Sequence, residues 1–506
     1  MTRARAIQIC GTGSGVGKSV IVSALCRIFL QDGFRVCPFK AQNMALNSFV
    51  TKNGSEIGRA QAVQARACGI EPSADMNPVL LKPSSDRRSQ VVIRGNPVGN
   101  MSAVEYVRYK KKAQESVLKS FEDLSRQYEI VVIEGAGSPA EVNLKAHDIV
   151  NMAMAEAANA PVILVGDIDK GGVFAWIVGT LELLTEAERA RIKGIIINKF
   201  RGDKRLLSSG IRFLEKKTGI KVLGVVPYFK DIKIPEEDSV SLENDASGAV
   251  LNTQYARRIK ISIIKLPHIS NFTDFDALEK EQDVSLNYVE SAEQLNGADV
   301  IIIPGTKNTI GDLQWLRRSG LAEQILRAAR KGQGTALIGI CGGYQMLGQR
   351  IYDAEKIESG CPEIGALGLL PVITRFNKKK TLSQVKARAA DSRQEVYGYE
   401  IHHGRTRRLN GVVPAFKITE RRGKRAEYSD GASSKDGKIW GTYIHGVFDA
   451  DNFRRDFLNG IRQAKGWTPL TQNTAFDSGD EFNKLAGLLR KNINLRLLYR
   501  ILNHGF

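Results

Sequence analysis

The stretch GTGSGVGKS, residues 11 to 19, decides the fold of the amino-terminal half because it joins two elements of different periodicity. The run AIQIC at 6 to 10 precedes it and is typical of a buried strand. The apolar-periodic pattern VIVSALCRIFL at 20 to 30 follows it and predicts a helix. A glycine-rich turn between a strand and a helix is the setting that a phosphate-binding loop requires. The sequence therefore predicts a nucleotide-binding α/β unit around this loop.

Each residue type in the loop has a physical role in holding a polyphosphate. Glycines let backbone N–H groups crowd around phosphate oxygens, and the amino terminus of the following helix favours negative charge. Lys18 reaches the β- and γ-phosphates, and the hydroxyl of Ser19 suits Mg²⁺. We therefore predict ATP and Mg²⁺ as cofactors, with the nucleotide bound by Gly11, Thr12, Gly13, Ser14, Gly15, Gly17, Lys18 and Ser19.

Two further polar residues end predicted strands of the same unit. Glu134 ends the strand in EIVVIEGAG at 129 to 137, where a carboxylate would hold Mg²⁺ or its water shell; the alternative is a solvated acid at a strand end. Thr12 replaces the glycine of the strict loop pattern, and a loop of this form resembles the dethiobiotin synthetase branch of P-loop proteins, whose members use ATP to activate carboxyl groups. In relatives of this loop type an asparagine at the end of a later strand contacts the adenine, so the resemblance implies this role for Asn198.

Apolar runs rich in Val and Ile recur in both halves of the chain and alternate with helical patterns. Such runs are typical of strands that are buried on both faces of a parallel sheet. They predict two α/β domains with doubly wound parallel sheets, at 1–235 and 259–450, with a polar linker at 236–258. The tail at 451–506 has a helical pattern, and we expect it to pack on the second domain. Besides the two already quoted, the runs are APVILVGDID (160–169), KGIIINKF (193–200), VLGVVPY (222–228), IKISIIKL (259–266), ADVIIIPG (298–305), GTALIGICGG (334–343) and KIWGTYIHG (438–446).

Charge and composition narrow the classes of function. The 506 residues include 73 Lys and Arg against 54 Asp and Glu, a net charge of +19, which suits nucleic acid, a membrane surface or a polyanionic small substrate. The basic clusters lack the interleaved aromatic residues of a single-strand-binding surface. No run supplies the roughly 18 apolar residues of a membrane span, and MTRARAIQIC has no signal-peptide pattern. We therefore expect a cytoplasmic protein without a nucleic-acid or membrane partner, and the sequence leaves a homo-oligomer open.

The turn GICGG at 339 to 343 carries the candidate nucleophile. The six cysteines stand singly, without a CxxC pair, which argues against a zinc site or a disulfide framework. Cys341 follows the strand-like TALIGI and opens the helix-like YQMLGQR, so small neighbours would hold it on a tight turn, as in the serine elbow of hydrolases. A helix amino terminus stabilises a thiolate. We therefore expect Cys341 to act as a nucleophile.

A cysteine nucleophile needs a base and a site for the developing negative charge. His445 is the best of the six histidines as the base, because it ends the strand-like KIWGTYIH of the same domain. An oxyanion hole would form from the backbone N–H of Gly342 with that of Gly305 or Thr306 in the loop PGTKNT.

The turn GICGG, the loop PGTKNT and His445 occur in the order and spacing of class I glutamine amidotransferases. These enzymes release ammonia through a cysteinyl thioester. This resemblance implies that Gln345 helps to bind the substrate glutamine. The usual family has Glu two residues after the catalytic histidine, where this chain has Val447. Either another group therefore orients His445 or the site works as a Cys–His dyad.

A wider resemblance is carried by segments that are spread along nearly the whole chain. The segments are GTGSGVGKS, PFKAQNMALNSFVT (38–51), EIGRAQAVQA (56–65), DMNPVLLKP (75–83), VVIEGAGSPAE (131–141), DIDKGGVFA (167–175), INKFRGD (197–203), PGTKNTIGDLQWLR (304–317), YGYEIHHG (397–404) and YIHGVF (443–448). Together they resemble the cobyric acid synthase family of the cobalamin pathway, in which a missing Glu after the histidine is normal. The resemblance implies a corrinoid and glutamine as partners, with carboxylates b, d, e and g of adenosylcobyrinic acid a,c-diamide amidated at one glutamine and one ATP each.

The residues that would bind the corrinoid are assigned by position within those segments. Lys40, Gln42, Asn43 and Lys82 follow early strands, and Asp169 ends another. Each is a candidate contact to the substrate. The alternative is that these residues brace the fold.

Two other functions fit part of the sequence. The sister enzyme, cobyrinic acid a,c-diamide synthase, shares both domains, but PFKAQNMALNSFVT and EIGRAQAVQA favour the first family. A partition-type ATPase that binds DNA through a basic surface would explain the loop and the charge. It would leave Cys341 and His445 without a role.

Overall fold

The computed structural model describes residues 4–85, 88–229, 232, 257–330, 334–471 and 479–504. Its amino-terminal half alternates strands and helices. The strands are β1 (Arg5–Gly11), β2 (Val36–Phe39), β3 (Gln42–Met44), β4 (Ser48–Val50), β5 (Glu56–Gly58), β6 (Val79–Ser85), β7 (Arg88–Ile93), β8 (Asn96–Ser102), β9 (Ile130–Glu134), β10 (Val162–Asp167), β11 (Ile192–Phe200) and β12 (Val222–Pro227). The helices are α1 (Lys18–Gln31), α2 (Arg59–Ala67), α3 (Ala103–Gln127), α4 (Met152–Ala157), α5 (Val173–Glu182), α6 (Glu186–Arg191) and α7 (Ser208–Thr218).

Six of these strands form one parallel sheet in the order β12-β11-β10-β1-β9-β2. Its apolar side chains are buried on both faces, because α1 covers one face and α3 the other. The register pairs Ile9 with Glu134, and Asp167 with Asn198. The phosphate loop, Glu134 and Asn198 therefore lie at the edge formed by the carboxyl ends of the strands, where parallel sheets bind ligands.

Between β2 and α3 the chain forms a small sheet that the sequence did not predict. Strands β3, β6, β7 and β8 pair in this order, and β4 and β5 form a separate hairpin. Phe49, Val50 and Ile57 of the hairpin pack in one buried cluster with Leu382 and Tyr399 of the carboxyl-terminal half. The hairpin thus joins the two halves through apolar contacts.

The carboxyl-terminal half again alternates strands and helices. Its strands are β13 (Ile259–Ile264), β14 (Val284–Val289), β15 (Val300–Ile303), β16 (Ala336–Ile340), β17 (Arg350–Tyr352), β18 (Glu363–Gly365), β19 (Val372–Ala389), β20 (Glu395–Arg408), β21 (Phe416–Arg421), β22 (Lys424–Asp430), β23 (Ala432–Ser433), β24 (Ile439–Thr442) and β25 (Ile444–His445). Its helices are α8 (Asp276–Glu279), α9 (Thr309–Arg318), α10 (Leu321–Arg330), α11 (Gly342–Leu347), α12 (Asp451–Ala464), α13 (Gly479–Asn492) and α14 (Leu495–His504).

The expected parallel sheet of the second half is confirmed. Strands β14, β13, β15, β16 and β24 lie parallel in this order, and β23 adds an antiparallel edge. A second, mostly antiparallel sheet, β18-β17-β19-β20-β25 with β21 and β22, was not predicted. Its long strands β19 and β20 carry many Lys and Arg residues on exposed positions. They therefore lack the continuous apolar runs on which the sequence analysis relied.

The carboxyl-terminal tail is helical, as predicted, but its helices pack on different domains. Helix α12 contacts β13 and β20 of the second domain. Helix α13 instead contacts α1 of the first domain and buries Phe482, Leu485 and Leu489 there. The N–H of Asn494 donates to the carbonyl of Leu223 at 2.7 Å. The expectation that the whole tail packs on the second domain is therefore wrong, because helical periodicity defines an apolar face but not its partner.

The boundary between the two domains was predicted at a polar linker, 236–258. Only residues 257 and 258 of this segment belong to the described part of the chain, so the linker stays a prediction. In the described ranges, no helix has both the length and the apolar character that crossing a membrane would demand.

Candidate active sites

The phosphate loop depends on glycines in the left-handed region. Gly15 has φ 69° and Gly17 has φ 95°, values that residues with a Cβ rarely adopt. A Cβ on Gly17 would also lie 2.2 Å from Nδ2 of Asn198. This amide donates to the carbonyl of Val16 at 2.9 Å, so Asn198 braces the loop. Its contact with adenine stays a prediction.

Lys18 and Ser19 lie where the loop joins helix α1. Nζ of Lys18 donates to the carbonyls of Gly13 at 2.8 Å and Gly137 at 3.1 Å. Oγ of Ser19 donates to Oε1 of Glu134 at 2.9 Å. The structure thus brings together Ser19 and Glu134, the two residues that the sequence predicts as Mg²⁺ ligands.

Glu134 is a buried carboxylate that is surrounded by donors. Nζ of Lys40 lies 2.8 Å from its Oε1, and the amide of Gln64 donates to its Oε2. The alternative interpretation of Glu134 as a solvated acid is wrong, because the side chain is fully buried. Lys40, expected at the corrinoid, belongs to this cluster beside the phosphate loop.

The donor set at this edge of the sheet fits Mg²⁺. The Ser19 hydroxyl and the Glu134 carboxylate are hard oxygen ligands, and the hydroxyl of Thr12 is buried without a hydrogen-bond partner in the described part of the chain. Among the described residues, no three His, Cys, Asp or Glu side chains form a metal-binding group. Mg²⁺ commonly binds through one or two carboxylates with phosphate oxygens and water, and these residues allow that arrangement.

The other predicted corrinoid contacts fall into two places. Asp169 lies at the edge of the parallel sheet, where its carboxylate pairs with Arg201 at 2.6 Å. Gln42 and Asn43 lie on β3 and Lys82 on the adjacent β6 of the small sheet. Because the structure does not bring all of these residues into one site, their contact with the corrinoid stays a prediction.

Cys341 lies on a strained turn between β16 and α11. Its φ of 53° and ψ of −105° lie outside the regions that residues with a Cβ normally adopt. A Cβ on Gly343 would lie 1.9 Å from the carbonyl oxygen of Ile303, so only glycine fits there. Sγ of Cys341 lies 3.6 Å from the carbonyl oxygen of Ile401. This geometry is that of a nucleophile elbow.

The imidazole of His445 is held in place by residues of the loop after β13. Its Nδ1 lies 2.6 Å from Oδ2 of Asp274 and 3.3 Å from Nδ2 of Asn271. Burial disfavours the imidazolium, but the Asp274 carboxylate and the neighbouring Cys341 outweigh burial and raise the pKa of His445 to about 10. The ring of Tyr399 stacks on the imidazole at 5.3 Å between centroids. His445 is therefore a fixed, readily protonated base.

Asp274 is a site residue that the sequence analysis missed. It lies in the short helix Phe272–Phe275, and it supplies the orienting group that Val447 cannot. The two partners are 171 positions apart, so spacing from the histidine gave no signal. The available signal was the acidic FTDFD at 272–276, close after a predicted strand.

The loop PGTKNT lies against both the thiol turn and the base. A Cβ on Gly305 would lie 2.9 Å from Cε1 of His445, and a Cβ on Gly342 would lie 2.7 Å from Cγ2 of Thr306. The backbones of this loop and of the turn are therefore adjacent, which an oxyanion hole requires. The assignment of the individual N–H donors stays a prediction.

Gln345 lies one helical turn after Cys341 and is buried. Its Oε1 accepts from Oγ1 of Thr309 at 3.1 Å, and its Nε2 donates to the hydroxyl of Tyr443 at 3.2 Å. Gln345 and Cys341 line the same cavity. The position is compatible with the predicted role in glutamine binding.

Charged side chains from both domains line the cavity beside Cys341. Lys82 belongs to the first domain and Lys380 to the second, and both lie on the cavity wall. The carboxylate of Glu56 lies between their Nζ atoms, at 2.8 Å from Lys82 and 2.6 Å from Lys380. This buried triad joins the two domains next to the thiol.

The hairpin of the first domain also reaches the residues that hold His445. The N–H of Ser48 donates to Oδ1 of Asn271 at 2.9 Å, and Nδ2 of Asn271 contacts His445. Oδ1 of Asn47 accepts from the N–H of Phe272 at 3.3 Å. The loop that positions His445 is therefore held by the other domain.

Comparisons with known proteins agree with this two-site arrangement. Residues 7–242 match the CobQ/CobB/MinD/ParA nucleotide binding domain, and residues 260–453 match the CobB/CobQ-like glutamine amidotransferase domain. The chain is 51% identical to the cobyric acid synthase of Dehalococcoides mccartyi (strain CBDB1), over 99% of both chains. It is 50% identical to those of Thermoanaerobacter sp. (strain X514) and Citrobacter koseri, over 98% of each chain. The chain belongs to the cobyric acid synthase family.

Proposed function

We propose that the chain is an ATP- and glutamine-dependent ligase that amidates carboxylates b, d, e and g of adenosylcobyrinic acid a,c-diamide and so gives adenosylcobyric acid. The observation that carries the proposal is that one chain holds two sites. A phosphate loop lies beside the Ser19–Glu134 pair, and a cysteine turn lies beside the His445–Asp274 pair. The relatives over the full length support the same activity, and a net charge of +19 suits a polycarboxylate substrate.

In the proposed glutaminase reaction, His445 holds the proton of the Cys341 thiol as an imidazolium, and the Cys341 thiolate attacks the carboxamide carbon of glutamine. Asp274 stabilises the imidazolium that forms. Backbone N–H groups of Gly342 and of the loop at Gly305 stabilise the oxyanion. The imidazolium then gives its proton to the leaving ammonia, and water hydrolyses the thioester to glutamate.

In the proposed synthetase reaction, a carboxylate of the corrinoid attacks the γ-phosphate of ATP, and ADP leaves. Ammonia then attacks the acyl phosphate, and phosphate leaves as the amide forms. Lys18 and the helix amino terminus stabilise the charge on the transferred phosphoryl group. Bound Mg²⁺, held by Ser19 and Glu134, would neutralise further phosphate charge. We also propose that the reaction takes place in the cytoplasm.

Mass spectrometry tests the proposed substrate. The protein is incubated with adenosylcobyrinic acid a,c-diamide, MgATP and glutamine. Four successive small mass decreases, one for each OH replaced by NH₂, are expected. No change in this substrate, together with amidation of unamidated cobyrinic acid, would transfer the assignment to the sister activity, which the relatives do not favour.

Changing the nitrogen source tests the two proposed sites separately. Cys341→Ala should abolish synthesis from glutamine and retain synthesis from free ammonium, because it removes the thioester alone. Lys18→Ala should abolish synthesis from both sources, because it removes phosphate binding. Loss of both activities in Cys341→Ala would show that the cysteine is structural, and near-normal turnover in Lys18→Ala would refute the ATP site.

The remaining alternative, a DNA-binding ATPase, gives the thiol site no role. Retention on DNA that falls steeply with salt would support it. We expect no such retention, because a DNA-binding ATPase would leave Cys341 and the His445–Asp274 pair without a role.

A further inference from the structure

The cavity beside Cys341 has charged walls that the proposed glutaminase chemistry does not use. Lys307 and Glu358 line this cavity together with Gln345 and Thr309. Lys307 directly follows Thr306 of the loop against the thiol turn. Glu358 comes from the loop between β17 and β18. Two opposite charges thus border the pocket in which a glutamine side chain would have to reach the thiol.

Glu358 is held rigidly at the cavity. The buried carboxylate of Asp353 accepts the N–H groups of Ile357 at 2.6 Å, Glu358 at 3.1 Å and Ser359 at 2.9 Å, which fixes the loop. Oε2 of Glu358 accepts the N–H of Thr309 at 3.1 Å. Burial raises the pKa of Glu358, and Lys307 opposes this rise. An added cation would stabilise this carboxylate.

Lys307 is the lysine of the cavity wall that forms no ion pair in the described part of the chain; burial lowers its pKa, and the carboxylate of Glu358 opposes this effect. Lys82 and Lys380 share the carboxylate of Glu56. Burial and the nearby lysines lower the pKa of His403 to about 3, so its imidazole is neutral. The backbone N–H of Lys307 donates to the carbonyl of His268 at 3.0 Å, which fixes the residue in its loop. An added anion would stabilise its ammonium.

We propose that Lys307 binds the α-carboxylate and Glu358 the α-ammonium of glutamine. The proposal rests on the proposed glutaminase function, since the carboxamide must lie at Cys341. The other end of glutamine carries one positive and one negative charge on a single carbon. Lys82 and Lys380 share the carboxylate of Glu56, so the groups that the wall offers to a ligand are the ammonium of Lys307 and the carboxylate of Glu358. This pair matches the zwitterion, whereas a simple primary amide would offer neither group a counter-charge.

The experiment uses glutamine and two analogues that each lack one charge. Glutaramate lacks the α-ammonium, and 4-aminobutanamide lacks the α-carboxylate. Ammonia release is measured for the unchanged chain, Lys307→Met and Glu358→Gln. Each variant should lower kcat/KM for glutamine by about 10- to 100-fold, the cost of one charged hydrogen bond.

The pattern across substrates distinguishes direct binding from a structural effect. Lys307→Met should reduce the preference for glutamine over 4-aminobutanamide and leave the preference over glutaramate unchanged. Glu358→Gln should do the reverse. Lys378→Met and Glu355→Gln, which alter an exposed ion pair nearby, are the matched controls and should leave all the rates unchanged.

Three outcomes would overturn the inference. One is an equal loss toward all three substrates. Another is an unchanged chain that hydrolyses both analogues as well as glutamine, a test that does not depend on how a variant folds. The third is unchanged selectivity in variants that still make amide from ammonium. Failure of the unchanged chain to make amide from either nitrogen source would instead refute the proposed function.

Discussion

At the scale of single residues, the ion pair between Asp274 and His445 governs the thiol site. The carboxylate fixes Nδ1 of the imidazole at 2.6 Å, so the other ring nitrogen is left for the proton of Cys341. The neighbouring Asn271 restricts rotation of the ring from the same side. A Cys–His site without Asp274 would hold the base less firmly and in a less defined tautomer.

Asp274→Asn should lower kcat for glutamine hydrolysis by roughly 10²- to 10⁴-fold, because an amide favours the wrong tautomer and does not stabilise the imidazolium. Synthesis from ammonium should stay near the level of the unchanged chain. Asp276→Asn is the control, because it removes a neighbouring carboxylate at the start of α8 and leaves the contact between Asp274 and Nδ1 of His445 in place. Equal losses in the two variants would refute the role of Asp274.

The same ion pair predicts how stability depends on pH. His445 has an ordinary pKa of 6.5 and a folded-state pKa of about 10, so the folded chain binds the additional proton between these values. Its contribution is therefore fully present below about pH 6.5 and is lost as pH rises through about 10. Denaturant unfolding of the unchanged chain and of Asp274→Asn at pH 6 to 10 measures this contribution. The difference in stability between the two should shrink as pH rises.

At the scale of elements, the sequence predicted the turns and strands whose pattern lies within a few consecutive residues. The phosphate loop between β1 and α1 and the turn before α11 were found because glycine spacing and apolar runs fix both. The antiparallel strands β19 and β20 were missed because charged side chains cover their exposed face. Asp274 was missed for a different reason, since its partner lies far away in sequence and only tertiary structure brings them together.

Helix α13 provides a test of how the tail contributes to the first domain. Leu489→Ala should lower the free energy of unfolding by about 2–5 kcal/mol, because it removes a fully buried side chain from the packing against α1. Lys484→Ala, at an exposed position of the same helix, is the control. Denaturant titration measures both variants. If Leu489→Ala lowered the free energy of unfolding no more than Lys484→Ala does, α13 would not stabilise the first domain.

At the scale of the whole molecule, the triad Lys82–Glu56–Lys380 joins the domains. The three side chains are buried, and the carboxylate of Glu56 compensates the charge of Lys82 in the first domain and of Lys380 in the second. Burial lowers the pKa of Lys380 to about 7, although Glu56 opposes this effect. Lys380 therefore loses its proton more readily than an ordinary lysine.

Glu56→Gln should destabilise the protein by about 3–5 kcal/mol, because it leaves the buried ammonium of Lys82 and the protonated fraction of Lys380 without a carboxylate. Lys380→Met should cost clearly less, because one cation then still faces Glu56. Thermal and denaturant unfolding at pH 7 compare the two variants. A larger loss in Lys380→Met would contradict the charge balance described for the triad.

The contact of Ser48 with Asn271 has a consequence for how such a chain can change over generations. His445 of the second domain contacts Asn271, and the side chain of Asn271 is held by the backbone of Ser48 in the first domain. A chimera that joined residues 1–235 of this chain to the second half of a distant relative would keep both sets of catalytic groups and still misplace the imidazole. The two units therefore depend on a matched contact, and we expect a substitution in the hairpin at 48–58 to limit which substitutions the loop at 271–274 can accept.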